Sequence, residues 1–104
     1  MDVESGVRFT RHALERMFSR GIAVEMVLDV LRRPDLRLFD VEADTIVYAS
    51  TRRKLIVVVA PEGGGKLRVV TVIPCKRVDV LVRRRLSSGR WIPLGGAQGN
   101  CVRS

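Results

Sequence analysis

Between residues 10 and 22 the apolar side chains recur at helical spacing. With residues about 100° apart, Ala13, Leu14, Met17 and Phe18 form one arc, and Arg11, His12, Glu15, Arg16, Ser19 and Arg20 form the other. Thr10 can cap the free N–H groups of the first turn, and Gly21 can take the left-handed conformation that stops a helix. A second helix is predicted over Val24 to Arg33, with Val24, Val27, Leu28 and Leu31 on one face and Pro34 as its stop. From Leu36 the period shortens. Leu36, Leu38, Phe39 and Val41 suggest a strand with an irregularity, ahead of the acidic turn Glu42-Ala43-Asp44. Thr45 to Thr51 alternates as a strand, with Ile46 and Tyr48 on one face and Val47 and Ala49 on the other, and Arg52-Arg53 turns it into Lys54. Leu55 to Ala60 is apolar throughout, as in a mid-sheet strand covered on both faces. Pro61 to Gly65 then reads as a hairpin leading into Lys66 to Ile73. Strict alternation there puts Leu67, Val69, Thr71 and Ile73 on one face.

The two ends are less determined. Val7, Arg8 and Phe9 fit a short strand or an extended lead into the first helix. Residues 77 to 86 fit a helix through Val78, Leu81 and Val82, or a strand through Val78, Val80 and Val82. The glycine-rich end from Gly95 is expected to be mobile.

At 104 residues, 46% of them apolar, the chain has the size of one domain with a modest core. The formal charge of +8 favours an anionic partner, nucleic acid first. That charge is uneven: residues 76–104 carry net +6 and residues 1–75 only +2. The expected division is therefore a core over 1–75 and a basic extension over 76–104. No apolar run approaches a membrane span, and the acidic start is unlike a signal peptide, so no membrane partner and a cytoplasmic location are expected. Cys75 and Cys101 lack metal-ligand spacing, and two cysteines alone do not establish a disulfide. No metal and no cofactor are expected. The scarcity of side-chain amides, Gln98 and Asn100 only, hints at a heat-tolerant source. Gly63-Gly64-Gly65-Lys66 lacks the spacing and the following Ser or Thr of a phosphate loop, and it opens a strand.

The candidate chemistry centres on His12, the single histidine, with Arg16 one turn further along. An imidazole can move a proton to or from a ribose hydroxyl, and guanidinium groups can hold a phosphate and offset charge in its transition state. The same pattern also describes a solvated helix face. One histidine excludes a ribonuclease with two histidines as acid and base, leaving the second proton-transfer role to Tyr48, a lysine, an arginine, water or the substrate. Thr71 reads either as a functional hydroxyl or as a strand-favouring residue. Arg52, Arg53 and Lys54, with Arg83, Arg84 and Arg85, are candidate phosphate contacts, and Trp91 a candidate base-stacking ring or a core residue.

The run His12-Ala13, Arg16-Met17, Arg20-Gly21-Ile22 resembles the opening signature of a small bacterial and archaeal domain family of unknown function. That family is grouped with the RelE/ParE-like toxins, within the barnase, EndoU, colicin and RelE class of metal-independent ribonucleases. The resemblance spans about residues 8 to 74 and implies His12, Arg16, Arg20 and Thr71 as catalytic positions. It also implies an α+β fold in which an N-terminal helical hairpin packs on a four-stranded antiparallel sheet, RelE-like, followed here by the basic C-terminal extension. The expected function is a metal-independent endoribonuclease acting on RNA phosphodiesters, RNA being favoured over DNA, with an acidic antitoxin as partner. The alternatives are a non-catalytic RNA- or DNA-binding domain and a protein-interaction module of a toxin-like assembly.

Overall fold

The computed structural model of the chain describes residues 2–4 and 6–94. Cys101 and the glycine-rich end from Gly95 lie outside them. In chain order the elements are β1 (Asp2–Glu4), β2 (Val7–Phe9), α1 (Arg11–Arg20), α2 (Val24–Arg32), β3 (Leu36–Asp40), β4 (Thr45–Ser50), β5 (Leu55–Glu62), β6 (Lys66–Pro74), α3 (Val78–Ser87) and β7 (Trp91–Pro93). The strands form one seven-stranded sheet in the order β1-β2-β6-β5-β4-β3-β7. All pairs are antiparallel except β2 with β6, which run parallel.

This α+β arrangement corrects the expected four-stranded antiparallel sheet under a helical hairpin. The sheet is mixed, extends at both edges, and carries a third helix. Edge strands leave unpaired N–H and C=O groups, and here short segments from the two ends of the chain take them up. On one side Val7, Arg8 and Phe9 pair with Leu67, Arg68 and Val69, and the Gly6 carbonyl accepts from the Leu67 N–H at 2.7 Å. On the other, Trp91 to Pro93 pairs with β3. Three-residue strands are too short to show a period, which is why the sequence pattern left them open.

The two sheet faces bear separate cores. Under α1 and α2, Phe9, Ala13, Met17, Val27, Leu28 and Val30 pack on Tyr48, Leu55, Val57, Val59, Val69 and Val72. On the opposite face, Val78 and Val82 of α3, with Trp91, cover Leu38, Val47, Ala49 and Ile56. The apolar run of β5 thus has a layer on each side. Val78, Val82 and Trp91, all from the segment after residue 75, supply one of those layers.

Three local expectations are also corrected. β3 pairs with β4 in unbroken register, so its irregularity is absent; Val41 falls just after the strand. Phe18 is 90% exposed, because the buried stripe of α1 is the Ala13–Met17 row and Phe18 lies about 100° beyond Met17. In β6, Val58 is paired with Thr71 but Val59 with Val69, leaving Val70 as an extra residue. This β-bulge breaks the alternation. Val69 and Val72 face the helical hairpin, while Thr71 and Ile73 face α3.

Candidate functional site

The local chemistry of α1 is the cap-and-stop arrangement its sequence calls for. Thr10 Oγ1 accepts from the Ala13 N–H at 3.0 Å, and Gly21 ends the helix at φ 67° with its N–H on the helix carbonyls. Thr10 also ties the helix to the sheet: its backbone N–H donates to Val69 O at 3.1 Å and its hydroxyl to Val70 O at 3.2 Å. His12, Arg16 and Arg20 then follow one another at four-residue steps along α1. His12 and Arg20 are exposed. Arg16, flanking the buried stripe, is half-buried, and its Nε is buried with no hydrogen-bond partner among the described residues. A buried donor without a partner is uncommon in folded proteins. Tyr48, named as a second proton carrier, is 8% exposed within the core under the hairpin.

Thr71 is not brought to this group. The bulge turns it to the α3 face, so the sheet separates its hydroxyl from α1.

The basic turn after β4 is already engaged. Asp29, near the end of α2, accepts from Arg52 Nη2 and Arg53 Nε, each at 2.9 Å on Oδ2, and pairs with Arg33 at 3.1 Å through Oδ1. Hydrogen bonds from Arg53 and then Arg52 hold its carboxyl down at about 2, against the smaller opposing effect of burial. Arg52 and Arg53 therefore fasten α2 to the β4–β5 turn, leaving a net positive cluster at the surface. Lys54 is exposed at φ 54°.

The Arg83-Arg84-Arg85 run divides. Arg83 and Arg84 are exposed and line a depression on the outside of α3 with Val80, Ser87 and Ser88. Arg85 turns toward β7, its guanidinium 5.8 Å from the centre of the Trp91 ring. Trp91 itself is 5% exposed and donates from Nε1 to Asp40 Oδ2 at 3.1 Å, so it is a core residue and not a free stacking platform. Asp40 Oδ1 accepts from Arg90 Nε at 2.9 Å and from the backbone N–H groups of Ala43 and Glu42. Burial is the largest single influence on this carboxyl and pushes it up; the four donated hydrogen bonds together outweigh it and leave the group at about 2.

Beside this cluster lies a cavity of about 280 Å³. Its lining includes Thr45, Thr71, Arg85, Arg90 and Trp91. The hydroxyl oxygens of Thr45 and Thr71 are themselves covered and have no hydrogen-bond partner among the described residues. Sequence reasoning passed over Asp40, Thr45 and Arg90. The available signal was an Asp at the end of a strand, two residues after Leu38, in a position that alternation assigns to the interior.

Residues 9–74 match the family model described as "Domain of unknown function (DUF4258)". The chain belongs to this family. No curated protein and no solved structure matches the chain. The DUF4258 region holds His12, Arg16, Arg20, Thr71 and the basic turn, whereas Arg85, Arg90 and Trp91 come from beyond it. The cavity is thus built jointly by the DUF4258 region and the segment that follows. Among the described residues, no helix is long and apolar enough to cross a membrane, and no group of three or more His, Cys, Asp or Glu side chains is placed to hold a metal ion.

Proposed function

We propose that this DUF4258 domain acts on RNA phosphodiesters as a metal-independent endoribonuclease of the RelE-like class, through the polar face of α1. The observation that carries this reading is the placement of Arg16 and Arg20 at successive four-residue steps from the exposed His12 along one side of α1. In this reading Arg16 and Arg20 hold the scissile phosphate. His12 takes the proton from the ribose 2′-hydroxyl as that oxygen attacks phosphorus, and water or His12 itself protonates the departing 5′-oxygen. Thr71, on the far face of the sheet, has no part in it. Arg83 and Arg84 bind flanking phosphates, and an acidic antitoxin would compete for the same positive surface.

The test is cleavage of end-labelled single-stranded RNA in EDTA, with His12→Ala and Arg16→Gln purified identically. Each variant should cut at least roughly 100-fold more slowly, the usual scale for losing a positioned proton-transfer group or charge clamp. Equal cutting by wild type and His12→Ala sinks the assignment.

A second reading, binding without catalysis, draws support from the separation of Thr71 from α1 and from the single histidine. It expects salt-sensitive RNA binding with no cutting, unchanged in His12→Ala and weakened when Arg83 and Arg84 are replaced.

A further inference from the structure

The two ends of the sheet carry charge differently. At one end Ser50 pairs with Leu55 and Leu55 with Pro74, so the β4–β5 turn lies beside the link from β6 to α3. The last turn of α2 reaches the same place through Asp29, which accepts from Arg52 and Arg53. Arg33, Arg52, Arg53, Lys54, Lys76 and Arg77 gather there, against the carboxylates of Asp29, Asp35 and Asp79. At the opposite end the arginines are matched: Arg90 pairs with Asp40 and Glu42, and Arg8 and Arg68 pair with Glu62. The basic excess at the first end is therefore placed by the fold, which collects it from three distant stretches of chain.

Three of these cations have nothing to hold. Lys54, Lys76 and Arg77 are exposed and have neither an ion pair nor a side-chain hydrogen bond among the described residues. The Cys75 N–H donates to the Lys54 carbonyl at 2.9 Å, which sets Lys76 next to Lys54. Lys54 keeps a φ of 54°, where glycine would sit without strain, so the turn retains a charged side chain at a conformational cost. The other three cations share one carboxylate. Arg33, Arg52 and Arg53 all meet Asp29, which offsets one positive charge of the three. Arg33 and Arg52 stay open to solvent, with side chains 77% and 60% exposed.

The extent of the row limits what could meet it. α2 lies on one face of the sheet and α3 on the other, so from Arg33 to Arg77 the row crosses all three layers. With layers about 10 Å apart, that is a distance on the order of 20 Å. A single phosphate or small anion cannot touch both ends, whereas a chain of regularly spaced charges can. Guanidinium groups suit phosphate oxygens, which they can bind in pairs. Of the exposed large apolar side chains only Leu36 adjoins the row, which therefore lacks the apolar centre of a protein interface.

We infer that this end of the sheet holds the phosphate backbone of a nucleic-acid strand, with Lys54, Lys76 and Arg77 as direct contacts and Arg33 and Arg52 extending the track. The choice of RNA for that strand rests on the RNA-directed reading above. The surface is distinct from the depression lined by Arg83 and Arg84 on the outside of α3.

The intact protein is titrated, at salt concentrations from roughly 50 to 200 mM, into a fluorescein-labelled single-stranded RNA and binding is read by anisotropy. The probe is 2′-O-methylated, so it lacks the attacking hydroxyl and binding is measured apart from cutting. A variant combining Lys54→Gln, Lys76→Gln and Arg77→Gln should bind roughly tenfold or more weakly, and its plot of log affinity against log salt should be shallower by about 2, as for three lost single-strand phosphate contacts. It should melt with the wild type, because none of the three side chains has a partner to lose. Affinity and slope equal to wild type overturn the inference; if Arg83→Gln with Arg84→Gln weakens binding instead, the RNA-directed reading stands without this surface. An oligo-aspartate that displaces the probe as well as unlabelled RNA of equal charge assigns the row to an acidic protein segment and also overturns it. No binding by the wild type at the lowest salt overturns both. Weakened binding in the triple variant, beside a wild type that never cuts RNA, upholds the surface and removes only the catalytic reading.

Discussion

Thr10 donates its hydroxyl to the carbonyl oxygen of Val70 at 3.2 Å, and Val70 is the residue that β5 leaves without an opposite partner. The bulge and the start of α1 are thereby one feature. The extra residue frees a carbonyl from the ladder, and the helix cap takes it up while also accepting from Ala13 N–H. The same bulge sends Thr71 to the α3 face and so gives the sheet two unlike sides.

Replacing Thr10 by Val removes both side-chain hydrogen bonds at once and keeps the shape. A loss of about 1–2 kcal/mol is expected in urea unfolding, the usual range for a good N-cap. Thr10→Ser should retain most of the stability, because Ser caps as well and keeps the hydroxyl that reaches Val70.

Asp40 and Asp29 both sit at about 2 in the folded protein, below the ordinary carboxylate range. Folded values below unfolded ones mean that the stabilisation is full above about pH 4 and drains away as the pH falls from there toward 2. Melting temperature measured between pH 7 and pH 2 should drop across that window. Asp40→Asn should be less stable at pH 7, since Arg90, Trp91 and the Glu42 and Ala43 N–H groups lose a charged acceptor, and should show a shallower acid limb.

Asp29 neutralises part of the charge of Arg33, Arg52 and Arg53. In Asp29→Asn the β4–β5 turn is held less firmly and the surface gains a unit of positive charge. RNA binding at 50 mM salt should tighten by a few fold and the gain should shrink as salt is raised, while thermal stability falls. An affinity unchanged at every salt concentration would remove this surface from the RNA path.

On α1 the two largest apolar side chains should behave differently. Met17→Ala empties a fully packed position and is expected to lower stability by about 2–4 kcal/mol. Phe18→Ser, at a side chain that is 90% exposed, should change it by less than about 0.5 kcal/mol.

The sequence by itself determined the elements whose signals are local. The Thr10 cap, the Gly21 stop, the Pro34 break and the alternation of Ile46 to Ala49 each depend on a few neighbouring residues, and each is present in the fold. It also placed His12 on a polar helix face, outside the core. Tertiary structure alone decided the rest. Val69-Val70-Thr71-Val72 is β-branched throughout, so nothing in its pattern marks where the register slips; that depends on β5 alongside and Thr10 above. Val7 to Phe9 and Trp91 to Pro93 became strands because open sheet edges were there to receive them. Likewise Arg52 and Arg53 read as phosphate contacts in the chain and Trp91 as either a stacking ring or a core residue, and only folding set them beside Asp29 and Asp40. A partner many residues distant leaves no mark on local periodicity, and in this protein such partners distinguish the structural arginines from those still open to a ligand.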